Sequence, residues 1–352
     1  MVEKKFVKGI DMSKVKVGVV GYGTIGTRLA PGVALQKDME LVGVADIAPT
    51  LAVRALKEIG MPYKLFCAVP DAAEKFDAAG IPVSGTIDDL LSQVDVVLDA
   101  TSAGVGAKNK VLYKKFGVKA IFQAGEKHEV ADVFFHGYAN YEKGIDKDFL
   151  KLTSCNTTGL IRAIDCLDRV VGVEKVAMTI IRRCADPGDT HRGYVDLAKV
   201  DPVPSHQATD LMLIMPHINA TGLLVHVPTT HGHIINHLVT PKKAITKEQI
   251  LDEFNRHPRI SVVRIADGFD SNTSLFKYAR YLLTPRADMY KIAVFEETMA
   301  FSGDDIMFAI NIPQEAVTIP ETIDGVRACM KMQTDRLEAV GLTNKYLGLK
   351  AG

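Results

Sequence analysis

The sequence lacks a surplus of either charge: 42 Lys and Arg balance 42 Asp and Glu. A chain without net charge carries no electrostatic footprint for nucleic acid or for an anionic membrane surface. Cysteines are few and scattered. Cys67, Cys155, Cys166, Cys184 and Cys329 are odd in number and form no CxxC pair. That argues against a disulfide framework and a zinc ribbon and fits a reducing compartment. Long apolar runs are missing too. No window approaches the roughly 18 uncharged apolar residues of a membrane span, and the opening MVEKKFVKGIDMSK has no apolar stretch of the kind a secretory signal needs. Internal repeats and low-complexity segments are absent. What remains is an ordinary globular composition, expected in the cytoplasm, on a 352-residue chain long enough for two cores.

The first 150 residues alternate short apolar runs with helix-like segments. The runs are VKVGVV (15–20), MELVGVAD (39–46), VDVVLDA (94–100) and VKAIFQAG (118–125). Near-continuous Val/Ile/Leu strands separated by crossovers predict a parallel sheet covered on both faces, a doubly wound α/β half. After Cys155 the pattern changes. KVAMTIIRR, GLLVHVPTT, HIINHLVTP, SVVRIADG, KIAVFEETMA and DDIMFAINIP come with fewer helices between them. They predict a mainly antiparallel sheet with helices on one side. From Pro320 the pattern reads as one helix through Ile323, Val326, Met330 and Leu337, then a short tail LTNKYLG.

VVGYGTIG sets Gly21, Gly23 and Gly26 in GxGxxG spacing, after a strand and before a helix. Such glycines permit a tight turn, close approach to a pyrophosphate and close helix–strand packing. The helix beginning near Thr24 would aim its first amides at the phosphates. Pro31 and Gly32 should kink or shorten it. Asp46 ends the second strand, 20 residues after Gly26. A carboxylate there can accept from the adenosine ribose and repel a 2′-phosphate, favouring NAD over NADP. The competing reading is an Asp that only caps the following turn.

In LTSCNTTGLIRA, Cys155 stands among hydroxyls and an amide ahead of the apolar stripe Leu160, Ile164, Leu167 and Val171. Ser154 and Thr157 offer N-cap oxygens, so Cys155 is predicted at a helix N-terminus. Helix dipole and free amides there lower a thiol pKa and form an oxyanion hole. This is a place for a thiol that attacks a carbonyl; the other four cysteines read as buried core residues. His233 is a candidate base because imidazole titrates near neutrality, with His231 and His237 as competitors. His231 and His233 share one strand face, but no carboxylate or cysteine lies close enough in sequence to complete a metal site. His226 reads as a satisfied strand histidine. Arg182 and Arg183 end a strand and face opposite ways, so one can reach an anionic substrate.

Together, VVGYGTIG, DATSAGVGAKNK, FQAGEK, SCNTTGL, RRCADP, VPSH, VPTTHGH, PQEAVTIPETIDGVRA and TNKYLG occur in the order of archaeal-type glyceraldehyde-3-phosphate dehydrogenase. The resemblance spans nearly the whole chain. It implies a Rossmann-type nucleotide domain (1–153, completed by 335–352), an α+β catalytic domain (154–334) and a homotetramer. It implies phosphorylating oxidation of glyceraldehyde 3-phosphate with NAD(P) and inorganic phosphate, through a thioester on Cys155 with His233 as base. It assigns Thr24, Ile25, Gly125, Arg183, Gln314 and Asn344 to the cofactor. Ser154, Asn156, Thr157, Arg182, His206, Gln207 and Ala208 fall to substrate and phosphate. Gln207 stands where the family usually has a second histidine, and it carries no positive charge. Ile312-Pro313 precede Gln314 where a histidine is common. The nearest alternatives are a semialdehyde dehydrogenase such as aspartate-semialdehyde dehydrogenase, a dehydrogenase without a covalent intermediate, and a non-catalytic NAD-binding protein.

Overall fold

The computed structural model describes residues 14–123, 125–183, 198–229 and 231–352. The opening thirteen residues and Cys184 lie outside them.

The first half winds as its apolar runs predict. Strands β1 (Val15–Val20), β2 (Met39–Asp46), β3 (Lys64–Cys67), β4 (Val96–Asp99), β5 (Lys119–Phe122), β6 (Val133–Phe135) and β7 (Phe149–Leu152) form one sheet in the order β3-β2-β1-β4-β5-β7-β6. Every neighbouring pair is parallel. The chain reverses direction of winding between β1 and β4, and in such sheets ligands bind at the carboxyl ends of the strands there. Helices α1 (Gly26–Ala34), α2 (Leu51–Glu58) and α3 (Ala72–Ala78) cover one face, and α4 (Ile87–Leu91) and α5 (Val105–Phe116) the other. Helix α1 continues only three residues past Pro31.

The second half is built on α6 (Cys155–Val171), whose buried stripe includes Leu160, Ile164 and Leu167. It packs on an eight-stranded sheet of β8 (Val173–Arg183), β9 (Lys199–Val200), β10 (Asn219–Val227), β11 (His233–Pro241), β12 (Ile260–Val263), β13 (Ile292–Phe295), β14 (Ala300–Ser302) and β15 (Asp305–Ile312). Most pairs are antiparallel; β8–β10 and β12–β13 are parallel. Period-2 alternation sends Val176, Met178, Ile180, Ile235 and Val239 into the core beneath α6, α7 (His206–Ile214) and α8 (Lys247–Arg256). The opposite face keeps Ile181, Leu223, Val225, Ile234, Leu238 and Met307 partly or wholly exposed. Helix α9 (Asn272–Tyr281) lies outside this core.

The chain end differs from the single helix predicted. Lys331 takes a left-handed conformation (φ 52°), and Asp335 caps a new helix by accepting from Glu338 N at 2.9 Å. Two helices result, α10 (Ile319–Cys329) and α11 (Arg336–Tyr346), and TNKY is helical rather than tail. The return to the first sheet also begins earlier than the expected residue 335. Ile319, Ile323, Val326, Ala328 and Cys329 of α10 already belong to the core of the first sheet.

Helix α10 is buried on every side, including Glu321, Asp324 and Arg327. Charges survive there only because they are paired and hydrogen-bonded. Glu321 accepts Arg162 at 2.9 and 2.5 Å and Arg259 at 2.9 Å. Asp324 accepts Arg259 at 2.7 and 3.1 Å. Arg327 reaches back to Asp38 and Gln36 of the first half at 2.8 and 2.9 Å. Burial alone would raise the Glu321 pKa, but Arg162 and Arg259 hold it far below the ordinary carboxylate range.

Removing one partner of such a pair leaves an uncompensated buried charge, so Glu321→Gln is expected to cost about 3–5 kcal/mol in a denaturant titration. Because the folded pKa is depressed, the stability Glu321 contributes is full above its unfolded value near 4.3. It falls away as pH drops toward the folded value, and Glu321→Gln should lose this part of the acid sensitivity.

Candidate active site

Cys155 is the first residue of α6, and Ser154 is its N-cap, accepting from Thr157 N at 3.3 Å. Thr157 is not a second cap: it is fully buried and its hydroxyl donates to Asp210 Oδ2 at 3.0 Å. The first residue of β11 brings His233 to the thiol, with Nε2 3.6 Å from Cys155 Sγ. On the other side of the ring, Nδ1 accepts from Arg183 N at 3.3 Å. His231 and His237 are not near the thiol in this way. The His231 ring packs at a tilt against Phe276, with centroids 3.9 Å apart, and His237 is sealed against Phe308 with its pKa pushed down to about 4 by burial. His226 pairs with Asp201 at 2.9 Å, as a satisfied strand histidine does.

Two electrostatic expectations need correction. Burial pushes the Cys155 thiol pKa up rather than down. Arg182, Arg183 and the Asn156 amide oppose that rise without overcoming it, and Glu315 adds to it. Burial, followed by Arg182, Arg183 and His226, also holds His233 well below the ordinary histidine value, so the ring is neutral. A neutral ring whose Nδ1 accepts an N–H carries its proton on Nε2. In the resting state His233 therefore points a donor at the sulfur; it is not poised as a base toward the thiol.

Around this pair lie the anion-directed residues. Arg182 and Arg183 diverge as strand alternation requires. Arg183 is buried and bonds Glu315 Oε1 at 2.9 Å, whereas Arg182 is half-buried and forms no ion pair among the described residues. His206 opens α7, and the Gln207 amide nitrogen lies 2.8 Å from its Nε2. Asn156 is buried, and its Oδ1 has no hydrogen-bond partner among the described residues. Ala208 sits in the hydrophobic core and offers nothing to a substrate, because the helical turn that exposes His206 turns Ala208 inward.

A separate cleft of about 840 Å³, counting its open mouth, lies at the carboxyl ends of β1, β2 and β4. Gly21, Gly23, Asp46, Thr101, Ser102 and Asn109 line it. A Cβ on Gly21 (φ 89°) would come within 2.8 Å of Ala100 O, and one on Gly26 within 2.0 Å of Gly21 O. A Cβ on Gly23 meets nothing within 4 Å. Turn and packing thus require the first and third glycines, and the open space at Gly23 fits a pyrophosphate drawn against the backbone. Thr24 is exposed, and Ile25 is half-buried ahead of α1. Asp46 does cap its turn: it accepts from Tyr22 N at 2.8 Å and Ile47 N at 2.7 Å. It lines the cleft as well.

Sequence reasoning missed the floor of this cleft. Asp99 accepts from Thr101 N (3.0 Å), Asn109 Nδ2 (3.0 Å) and Tyr113 Oη (2.7 Å), fixing the loop after β4. The block DATSAGVGAKNK contains most of these residues. Gly125 faces that loop, 3.5 Å from Ala103 by its would-be Cβ. Gln314 lines a smaller pocket with Asn311, Arg286 and Asp288. Asp288 is tied at 2.7 Å to Arg28, which also donates to Thr24 O of the glycine loop. Asn344 does not join the cleft. Its Oδ1 accepts from Arg259 at 2.8 Å and its Nδ2 donates to Tyr138 at 3.1 Å, so the amide is used up in the interior.

Comparison with known proteins agrees with this layout. Residues 154–281 match the family model described as glyceraldehyde 3-phosphate dehydrogenase, C-terminal domain. A glyceraldehyde-3-phosphate dehydrogenase of Thermococcus kodakarensis is 42% identical over 96% of this chain and 99% of its own. One from Methanobacterium bryantii is 38% identical over 95% and 99%. The structure of aspartate semialdehyde dehydrogenase II from Vibrio cholerae shares the fold, with a TM-score of 0.61 at 15% identity over 90% of this chain and 99% of that one.

The raised thiol pKa predicts slow alkylation near neutrality. Iodoacetamide labelling of Cys155 in the free protein should rise with pH through an inflection above about 8.5, the ordinary thiol value. Arg182→Gln removes a charge that favours the thiolate and should move the inflection higher still.

Proposed function

The chain belongs to the glyceraldehyde-3-phosphate dehydrogenase family, and from that premise we infer that Cys155 and His233 form its catalytic pair. The enzyme is an oxidoreductase that converts glyceraldehyde 3-phosphate and inorganic phosphate to 1,3-bisphosphoglycerate. The observation that carries this reading is the 3.6 Å contact of a helix-terminal sulfur with a neutral imidazole.

The residues divide the work as follows. The Cys155 thiol gives up its proton to solvent, and the resulting thiolate adds to the aldehyde carbon, forming the C–S bond and turning the carbonyl oxygen into an alkoxide. His233 Nε2–H and the first amides of α6 are the donors for that oxygen. Fixing Nδ1 as an acceptor keeps the Nε2 proton where charge develops. When bound, a nicotinamide dinucleotide supplies the acceptor for the hydride that leaves the substrate carbon. The acyl group then remains on Sγ as a thioester. Inorganic phosphate attacks its carbon, and Sγ departs as thiolate, which takes a proton back from solvent to restore the starting thiol. Arg182 and His206 hold phosphate groups, and the unpartnered Asn156 Oδ1 offers an acceptor to a substrate hydroxyl. Gly21, Gly23, Thr24, Ile25, Gly26, Asp46 and Gly125 hold the dinucleotide, with Gln314 toward its nicotinamide end. Arg183 acts indirectly, by setting His233 and anchoring Glu315.

Asp46 in the cleft supports NAD as the preferred form. The half-open apolar face of the second sheet supports assembly with further copies, in keeping with a homotetramer. The four cysteines among the described residues, all unpaired, support a cytoplasmic setting. The semialdehyde dehydrogenase reading has only the shared fold behind it.

Reduced cofactor formed from glyceraldehyde 3-phosphate should depend on inorganic phosphate and vanish in Cys155→Ser. His233→Asn should lower kcat by about 10²-fold or more, with His231→Asn far milder. Turnover of aspartate semialdehyde in preference would overturn the reading. Asp46→Ala should cut the ratio of kcat/KM for NAD to that for NADP by about tenfold, the scale of one lost charge-assisted hydrogen bond; an unchanged ratio removes Asp46 from cofactor choice.

A further inference from the structure

One buried charge on the strand that leads into the N-terminus of α6 has no role in the scheme above. Lys151 lies on β7, four residues before Cys155, and is 5% exposed. Its ammonium sits 4.5 Å from the centre of the Phe134 ring. Among the described residues its one hydrogen bond is a long contact of 3.4 Å to the Leu152 carbonyl. The two carboxylates that influence it are Asp210 and Glu126, and both are committed elsewhere. Asp210 accepts the Thr157 hydroxyl at 3.0 Å and pairs with His128 at 3.2 Å. Glu126 accepts from Gly106 N at 2.9 Å. No carboxylate among the described residues forms an ion pair with Lys151.

A buried cation short of counter-charge is unfavourable to the fold. Burial accordingly pulls the ammonium below the ordinary lysine value, against Asp210 and Glu126. Such a group is retained where a ligand brings the missing anion. Its surroundings fit that role. His206 is held toward its neutral form by burial and by the charges of Arg182 and Lys151, against Asp210 and Asp201, so these groups share one field. Gln207, buried against His206, adds no charge to it. The N-terminus of α6 opens three residues after β7 ends.

We propose that Lys151 is a phosphate-binding residue of this active site, its ammonium acting with Arg182 and His206 on a phosphate group that enters with the reactants. This rests on the reading under Proposed function. The phosphate is either the one carried by the triose or the inorganic co-substrate.

Lys151→Gln and Lys151→Arg separate the possibilities. If the ammonium holds the triose phosphate, Lys151→Gln should raise KM for glyceraldehyde 3-phosphate about tenfold or more. The ratio of kcat/KM for glyceraldehyde 3-phosphate to that for unphosphorylated D-glyceraldehyde should fall alike. If it holds the co-substrate, KM for inorganic phosphate should rise instead and that ratio should stand. Lys151→Arg, which keeps the charge, should recover much of either loss. Titration of inorganic phosphate into the unreacted protein, followed by calorimetry or phosphorus NMR, gives a readout without turnover. Weaker binding in Lys151→Gln supports the assignment even if the wild type fails to turn over the triose, which would sink the functional reading alone. Lys151→Met should keep or raise Tm, since it removes an underpartnered charge. A lower Tm in Lys151→Met with a uniform fall in kcat makes the residue structural and overturns the proposal. Unchanged KM values and unchanged phosphate binding overturn it too.

Discussion

Everything at this site depends on where the first turn of α6 stands relative to the first sheet. That position is set by a cluster of buried charges. Arg162, two turns into α6, and Arg259, just before β12, close on Glu321 and Asp324 of α10. The same helix sends Arg327 to Asp38 and Gln36 beside β2. Helix α10 is thus gripped from both halves. Ion pairs of this kind bring little net stability over an apolar core, because desolvation offsets the attraction. What they supply is direction: guanidinium forks meet carboxylates in one geometry, whereas apolar surfaces can slide. In the proposed mechanism a nucleophile on one half and a redox partner on the other need that fixed registry, since small displacements are costly in rate.

The chemistry of the resting site is conservative. Burial raises the thiol and lowers the imidazole, so neither group carries charge before substrate arrives. The positive charge in the neighbourhood resides on arginine and lysine instead. Such a site is biased toward anions without holding a permanently exposed thiolate, and it becomes more reactive as bound groups change its field. The Arg183 amide contributes to this quietly. By occupying His233 Nδ1 it disfavours an imidazolium, in which both ring nitrogens must donate.

Much of this was legible in the sequence, and the reasons differ by element. The short apolar runs became β1, β2, β4 and β5, because a strand buried on both faces must be apolar throughout. Strands β3, β6 and β7 escaped notice although β3 and β7 are as long as β4 and β5; in β7 Lys151 interrupts the apolar run. Cys155 was readable from its capping hydroxyls and the stripe that follows, both local signals. The direction of its pKa was not, because burial comes from distant chain. Ala208 and Asn344 were placed by motif alone, and a motif does not say which way a helix faces. The break between α10 and α11 hangs on a left-handed Lys331, for which lysine gives no hint.

The chain's return has a consequence for how the protein is made. Ile319, Ile323 and Val326 form part of one wall of the first sheet, yet they are translated after every strand of the second sheet. Until then the nascent N-terminal sheet has an uncovered apolar side, while the second half can close the core between α6 and its own strands beforehand. Synthesis order and completion order are therefore inverted between the two sheets: the one translated earlier matures after the one translated later. During that interval the exposed side is a surface for chaperones to guard.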